Sequence, residues 1–316
     1  MQAPALNAPL QAARAPVPAP GPDQVQIAVK ACGLNFADTL VLKGSYQEKI
    51  APPITPGMEV AGVVSALGAG VSEFAIGDRV SAMVGFGGLA ERAVAPAAGA
   101  IRLPDAVDFV TAAAATVAYG TSHLALARRA RLQPGERLLV LGAAGGVGLT
   151  AVEIGKLMGA EVIAVARGAE KRALARDKGA DHAIDADDAD LTAAVKALGG
   201  ADVVYDPVGG PLWAAAIRAA NFEGRLLPIG FASGEIPQIA ANYLLVKNIE
   251  VIGLYWGAYL QRAPTVLAES LRTLMGWIAE GRLVPHVSDR LPLAEAEAAL
   301  DLLRTRKAMG KVVVEI

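Results

Sequence analysis

Cysteine occurs once, at Cys32, and histidine three times, at His123, His182 and His286, in 316 residues. A single cysteine excludes an intrachain disulfide. Three histidines far apart leave few candidates for a multi-ligand zinc centre. A basic excess is also lacking: 29 Lys and Arg stand against 31 Asp and Glu, a formal net charge of −2. A nucleic-acid surface or an anionic membrane calls for the opposite balance. The Ala- and Pro-rich amino terminus has no continuous apolar stretch behind a basic start, so it does not read as a signal peptide. Every long apolar run contains glycine or meets a charge well before the ~18 residues of a membrane span. The expectation is a soluble protein of a reducing, cytoplasmic compartment, with no nucleic-acid and no membrane partner.

What is present points to a folded chain of more than one domain. Hydrophobic residues make up 53% and charged residues 19%, the balance of a well-buried α/β protein rather than a disordered one. The length exceeds a typical single domain, which predicts two. Residues 1–22 carry many prolines and little periodicity, the pattern of an extended or frayed lead-in. From Val25 to Val29 apolar and polar residues alternate as in a half-buried strand. Residues 60–65, 78–82 and 90–94 read as further short strands among Gly and Pro, which predicts a β-rich, barrel-like first domain.

Near Asp108 the texture changes. Residues 108–131 are Ala-rich and helix-forming, and Gln133-Pro134-Gly135-Glu136 makes a turn. Strands predicted at 137–141, 161–166, 202–205 and 225–229 then alternate with helices at 150–158, 171–178 and 211–220. That alternation predicts a parallel, doubly wound sheet, so the fold class is α/β. Amphipathic helices at 265–280 and 293–304 and a closing strand at 311–316 complete the chain. The closing strand is expected to return to the first domain.

The strongest chemical signal is the apolar strand beginning near Arg137 that runs into Gly142-Ala143-Ala144-Gly145-Gly146-Val147-Gly148, with a helix following at once. Small residues at Ala143 and Ala144 allow a tight turn, Gly145 lets backbone approach a pyrophosphate, and Gly148 lets helix and strand pack closely. The helix start offers unpaired N–H groups and a positive dipole end to phosphate. A glycine-rich run alone could be a flexible loop; here a strand precedes it and a second strand, 161–166, follows its helix, the context of a dinucleotide-binding βαβ unit. No Gly-Lys-Ser/Thr ends the turn, which excludes a P-loop.

The end of that second strand decides which dinucleotide fits. An NAD site places Asp or Glu there to accept the ribose 2′-OH. This chain has Arg167, followed by Lys171, and a guanidinium fork suits a 2′-phosphate. NADPH is the cofactor this favours; the alternative is that both are ordinary solvated residues of an exposed loop.

The motifs together resemble the zinc-free quinone oxidoreductase (zeta-crystallin-like) branch of the medium-chain dehydrogenase/reductase superfamily. The resemblance runs from about Val25 to the carboxyl terminus. It rests on Ala31-Cys32-Gly33-Leu34-Asn35-Phe36-Ala37-Asp38, Pro56-Gly57-Met58-Glu59-Val60-Ala61-Gly62, Gly77-Asp78-Arg79-Val80 and Leu132-Gln133-Pro134-Gly135. It continues through the Gly142–Gly148 turn, Asp202-Val203-Val204-Tyr205-Asp206-Pro207-Val208-Gly209-Gly210 and Gly310-Lys311-Val312-Val313-Val314. The resemblance implies a GroES-like catalytic domain (residues 1–118 and 256–316), a Rossmann domain (119–255), and an active site in the cleft between them. It also implies a homodimer joined through Rossmann edge strands, with 248–255 as the candidate edge.

Zinc enzymes of the superfamily carry Cys in the first catalytic loop and Gly-His-Glu in the second. This chain has Asn35 and Asp38 in the first and Gly57-Met58-Glu59 in the second, and methionine is a poor zinc ligand. No metal site is expected. Hydride from NADPH leaves negative charge on a substrate oxygen, which fixed donors would stabilise. The resemblance places Asn35, Asp38 and Tyr46 at the nicotinamide end, Asn35 and Tyr46 as donors and Asp38 as an orienting group. Each also has a structural reading: Asn35 as a cap, Asp38 as an acceptor for backbone donors, Tyr46 as packing.

By the same resemblance Thr116, Tyr119, Gly230, Phe231, Ala232 and Arg306 line the cofactor, with loop or core packing as the alternative. Asp185 stands where NADPH-binding relatives often have a tyrosine; pointing inward, it would oppose a 2′-phosphate. Cys32 reads as a buried, inert thiol, His123 as a packed helical side chain, and the acidic run 185–190 as a solvated loop without calcium-loop spacing.

The function implied is NADPH-dependent hydride transfer to quinones or activated α,β-unsaturated carbonyls, small molecules in either case. Two other readings remain open: an enoyl thioester reductase of the same architecture, and a non-catalytic NADPH-binding sensor.

Overall fold

The computed structural model describes all 316 residues. They form two compact units, Met1–Gly120 with Ala258–Ile316, and Thr121–Gly257. In chain order the first unit begins with β1 (Gln24–Leu34), α1 (Phe36–Leu42), β2 (Glu59–Leu67), β3 (Arg79–Met83), β4 (Arg92–Pro96), β5 (Ala100–Arg102) and α2 (Phe109–Ala115), and α3 (Val117–His123) carries the chain into the second. The second unit holds β6 (Arg137–Leu141), α4 (Gly146–Leu157), β7 (Glu161–Ala166), α5 (Ala169–Asp177), β8 (His182–Asp185), α6 (Leu191–Ala197), β9 (Ala201–Asp206), α7 (Gly210–Ala219), β10 (Ala220–Pro228), α8 (Ala241–Lys247) and β11 (Glu250–Val251). The chain returns to the first unit with α9 (Tyr259–Arg262), α10 (Pro264–Ala279), β12 (Val287–Pro292), α11 (Ala296–Arg304) and β13 (Lys311–Glu315).

The first unit is built on a seven-stranded sheet with β1 at its centre. One side of β1 pairs antiparallel with β2; on the other, Gln24–Ala28 meets β4 and Ala31–Leu34 meets β13. The alternation seen in sequence holds only for the first half, where Val25, Ile27 and Val29 are buried. From Ala31 to Leu34 every residue is buried, because this half lies under α2 as well as between two strands. The closing strand returns as expected, Cys32 pairing with Val314. The lead-in departs from expectation: Ala3 exchanges backbone hydrogen bonds with Ile54 at 2.8 and 2.9 Å, and Ala3 and Leu10 join the core. Residues 12–19 are exposed and carry no regular secondary structure.

The Ala-rich stretch predicted as helix is interrupted at Thr116, which separates α2 from α3, and residues Leu124–Arg129 wind as a π-helix. No single helix is long and apolar enough to cross a membrane.

The second unit is a six-stranded, all-parallel sheet in the order β11-β10-β9-β6-β7-β8. Its central strands read as unbroken apolar runs because both faces are covered. The period of two assigns the faces: Leu139, Leu141, Ile163 and Val165 pack with Leu191 and Val195 of α6 and Trp213 and Ile217 of α7. Leu138 points the other way, against Gly155 of α4, where an added Cβ would come within 2.3 Å of it. Strand order reverses between β6 and β9, the switch point where α/β sheets open a crevice at the carboxyl ends of their strands.

Candidate functional site

That crevice is where the glycine-rich turn sits. β6 ends at Leu141, Gly142 takes φ +60°, and α4 begins at Gly146 with Gly145 as its cap. Gly148 packs so closely that a Cβ there would stand 2.2 Å from the Gly142 carbonyl oxygen. Gly145 differs: it is exposed, and a Cβ would meet only that same oxygen, at 3.4 Å. Gly148 is therefore small for the protein's own packing, whereas Gly145 keeps an open approach in front of the first turn of α4. The first N–H groups of a helix have no intrahelical acceptor and lie at its positive end. Together with the open glycine they fit a pyrophosphate.

The first turn of α4 is anchored by a buried hydroxyl chain that the sequence reading missed. Ser122 exchanges hydrogen bonds with Tyr205 at 2.8 Å and Thr150 at 2.7 Å, and Thr150 donates to the Val147 carbonyl at 2.8 Å. Burial holds the Tyr205 phenol well above its ordinary pKa, so it remains a neutral link.

Two further loops gather at the same strand ends. Val208 lies 2.8 Å from where a Gly142 Cβ would project, and the Gly230–Ala232 loop folds over it, Ala232 N–H donating to the Pro207 carbonyl at 3.1 Å. Phe231 is partly exposed there. The structure thus brings Ala144, Gly145, Gly146, Val147 and Gly148 to one edge with Gly230, Phe231 and Ala232. It adds Asp206, also missed: Oδ1 accepts the Val208 and Gly209 N–H groups at 2.7 and 2.9 Å, while the buried Oδ2 has no partner. Burial raises the Asp206 pKa.

Arg167 directly follows β7 at the same ends of the sheet. Its Nε donates to both carboxylate oxygens of Asp187, at 3.0 and 2.9 Å. Lys171 is half-buried on the first turn of α5. Asp185 forms an ion pair with Arg172 at 2.6 Å. Its pKa is lowered, first by the hydrogen bond from the Asp187 N–H. The acidic run is exposed from 187 to 190, as expected of a solvated loop, and Asp185 and Asp187 are in addition bonded to basic side chains.

The remaining sequence candidates belong to the first unit. Asn35 caps α1 in an extended conformation, and its backbone N–H donates to Asp38 Oδ2 at 2.8 Å. Asp38 Oδ1 accepts the Gly57 N–H at 2.9 Å. The Asn35 amide donates to Glu59 Oε1 at 2.7 Å, and its own oxygen accepts from Lys311 Nζ at 2.8 Å. Lys311 also donates to Glu59 Oε1 at 2.8 Å and the Leu34 carbonyl at 2.9 Å, and Glu59 Oε2 accepts the Val117 N–H at 2.6 Å. Strand register assembles the group, since Gly33 faces Glu59 across β1–β2 while Leu34 faces Val312 across β1–β13.

Burial dominates the Asp38 carboxyl and pushes its pKa up to about 6, against the opposing hydrogen bonds from Asn35 and Gly57. Gly57, at φ +99°, must be glycine, because a Cβ would sit 2.6 Å from Cys32 Sγ. Cys32 itself is buried, its thiol pKa raised first by that burial. Lys311 and Glu59 were not picked out as site residues. The available signal was a lysine opening the otherwise apolar run Val312-Val313-Val314, a charge that burial obliges to find a partner.

Thr116 is buried, exchanging a hydrogen bond with Ser81 and donating to the Ala112 carbonyl at 3.2 Å. The buried Tyr119 hydroxyl accepts the His286 N–H at 3.2 Å. Tyr46 lies half-buried after α1, packed against the core. Arg306 is exposed just beyond α11 in the left-handed region, φ +58°.

These residues do not fit zinc. An ammonium, Lys311, already lies between the Asn35 and Glu59 oxygens, and no group of three or more His, Cys, Asp or Glu side chains is placed to hold a metal ion.

Comparison with known proteins agrees with this architecture. A family described as alcohol dehydrogenase GroES-like domain matches residues 21–105, and one described as zinc-binding dehydrogenase matches 146–275. Quinone oxidoreductase-like protein 2 of Bos taurus is 40% identical over 299 residues, 93% of this chain and 86% of its own. Among solved structures, the quinone oxidoreductase of Thermus thermophilus, determined also as its complex with NADPH, is similar with a TM-score of 0.84 and 36% identity, covering 100% of each chain. Escherichia coli quinone oxidoreductase complexed with NADPH gives a TM-score of 0.88 and 29% identity, covering 97% of this chain and 95% of its own. The chain belongs to the quinone oxidoreductase branch of the medium-chain dehydrogenase/reductase superfamily. It is an oxidoreductase.

Proposed function

We propose that the protein is an NADPH-dependent, zinc-independent reductase that delivers hydride to quinones or activated α,β-unsaturated carbonyls. The observation that carries the reading is the pairing of an open Gly145 in front of α4 with Arg167 at the end of β7. The first receives a pyrophosphate and the second the adenosine 2′-phosphate. The complexes of the Thermus thermophilus and Escherichia coli quinone oxidoreductases with NADPH support that choice of cofactor. NADPH supplies the hydride when bound. The protein's own groups orient it: the α4 turn holds the diphosphate, and the Gly230–Ala232 loop lies at the same strand ends. Asn35 and Tyr46 are the proposed donors toward substrate oxygen, and Asp38 positions Asn35 by holding its backbone N–H. Zinc plays no part, because Lys311 supplies the positive charge beside Glu59 and Asn35. The setting proposed is cytoplasmic.

The test is oxidation of NADPH and of NADH by the purified protein, with a chelator present, against ortho-quinones, para-quinones and enals. Turnover undiminished by the chelator and faster with NADPH than NADH is expected. NADPH binding without turnover on any acceptor would overturn the reductase reading for these substrates.

A further inference from the structure

Arg167 is the group proposed above for the 2′-phosphate, and it is already engaged. Its Nε meets both oxygens of Asp187 at 3.0 and 2.9 Å, and Nη2 lies 2.9 Å from Oδ1. This is the side-on fork a guanidinium offers to phosphate as well as to carboxylate. The carboxylate is also supported from behind. The Asp187 N–H donates to Asp185 Oδ1 at 3.1 Å, and Asp185 is paired with Arg172 at 2.6 Å. The chain Arg172–Asp185–Asp187–Arg167 thus presents one acidic group to the end of β7.

We propose that Asp187 is a specificity-determining residue: its carboxylate competes with the adenosine 2′-phosphate for Arg167 and so narrows the preference for NADPH over NADH. The inference rests on the NADPH reading above. A 2′-phosphate must displace Asp187 from the guanidinium and then sit beside its negative charge; a 2′-hydroxyl meets neither obstacle. Both side chains are largely exposed, 69% and 61%, so the pair opens readily. Its effect is a graded tax on the phosphorylated ligand rather than a block.

The experiment is calorimetric titration of the full-length protein with 2′,5′-ADP and with 5′-AMP. These are the phosphorylated and unphosphorylated adenosine ends of the two cofactors. Wild type is compared with Asp187→Asn and Arg167→Gln, after thermal melts show that both variants are folded. Asp187→Asn is expected to tighten 2′,5′-ADP by about two- to fivefold, the scale of one exposed ion pair, while 5′-AMP changes by less than about 1.5-fold. Unchanged or weaker 2′,5′-ADP binding in Asp187→Asn, with Arg167→Gln still lowering it, would overturn the competition and leave the NADPH reading standing. If Arg167→Gln leaves the two ligands in their wild-type ratio, the Arg167 reading fails and the inference falls with it.

Discussion

Each unit contains a small charged network near its site residues, and the two behave oppositely because one is buried and the other is wet. In the first unit Lys311, Glu59, Asn35 and Asp38 are joined by hydrogen bonds, with Lys311 and Glu59 side chains only 2% and 0% exposed. In the second unit Arg167 and Asp187 pair with most of their surface in water. Removing charges from water carries a cost of several kcal/mol per ion, which mutual attraction offsets only when every lone pair and proton is placed. A buried network therefore fixes geometry and tolerates no missing member. An exposed pair, screened and hydrated, can be exchanged for a ligand.

The largest expected effect follows from removing the buried cation. Lys311→Met leaves Glu59 charged, buried and short of a partner, and about 3–5 kcal/mol of stability should be lost. Glu59→Gln combined with Lys311→Met removes both charges and should recover part of that loss. Urea denaturation of the three proteins decides it. A Lys311→Met protein as stable as wild type would mean that the pair does not hold the strands together, and the contrast between the units would collapse.

Asp38 gives an intermediate effect with a direction in pH. Its folded pKa, about 6, lies above the ordinary value of 3.8. The folded state then binds the proton more tightly than the unfolded state does. The contribution is fully present below about pH 4 and is lost as pH rises through about 6, roughly 3 kcal/mol for a shift of this size. Asp38→Asn does not titrate, though its amide turns one donor toward a backbone N–H and loses that hydrogen bond. The stability of wild type relative to Asp38→Asn should therefore decline between pH 4 and 7. A constant difference across that range would show that burial does not govern this carboxyl.

The sequence revealed the two units unevenly, for reasons visible in particular residues. In the second unit β6 and β7 occupy 137–141 and 161–166 as read from sequence, because apolar runs, turn glycines and helix starts agree locally. The four-residue β8 went unseen: it is a half-buried edge strand with polar residues at both ends. The break at Thr116, whose buried hydroxyl meets Ser81, was hidden in alanines, which favour helix at every position. Lys311 and Glu59 are 252 residues apart in sequence, so their pairing depends on sheet register that no local pattern carries. Arg167 was legible as a position at a strand end, but its partner, 20 residues away in a loop, was not. The lead-in was misread because Ala3 and Leu10 bury through two isolated bridges, Gln2 with Gln11 and Ala3 with Ile54, rather than a periodic ladder.

The smallest effect is the one that most sharpens the contrast. Exposed ion pairs contribute about 0–1 kcal/mol, so Arg167→Gln and Asp187→Asn should each unfold within about 1 kcal/mol of wild type. Whatever difference appears at low ionic strength should vanish near 1 M salt, where the screening length is only ~3 Å. The Lys311→Met deficit should persist there, because salt does not reach a pair that is 0–2% exposed. Urea midpoints of all four proteins at two salt concentrations make the comparison directly. A loss of about 3 kcal/mol in Asp187→Asn, surviving high salt, would mean that this carboxylate is a structural tie. A ligand phosphate could then displace it only by disrupting the loop at 185–190, and the affinity gain expected of the variant would have no physical basis. The weakness of the pair is thus a condition of its proposed role, and its stability in salt tests that condition without any cofactor present.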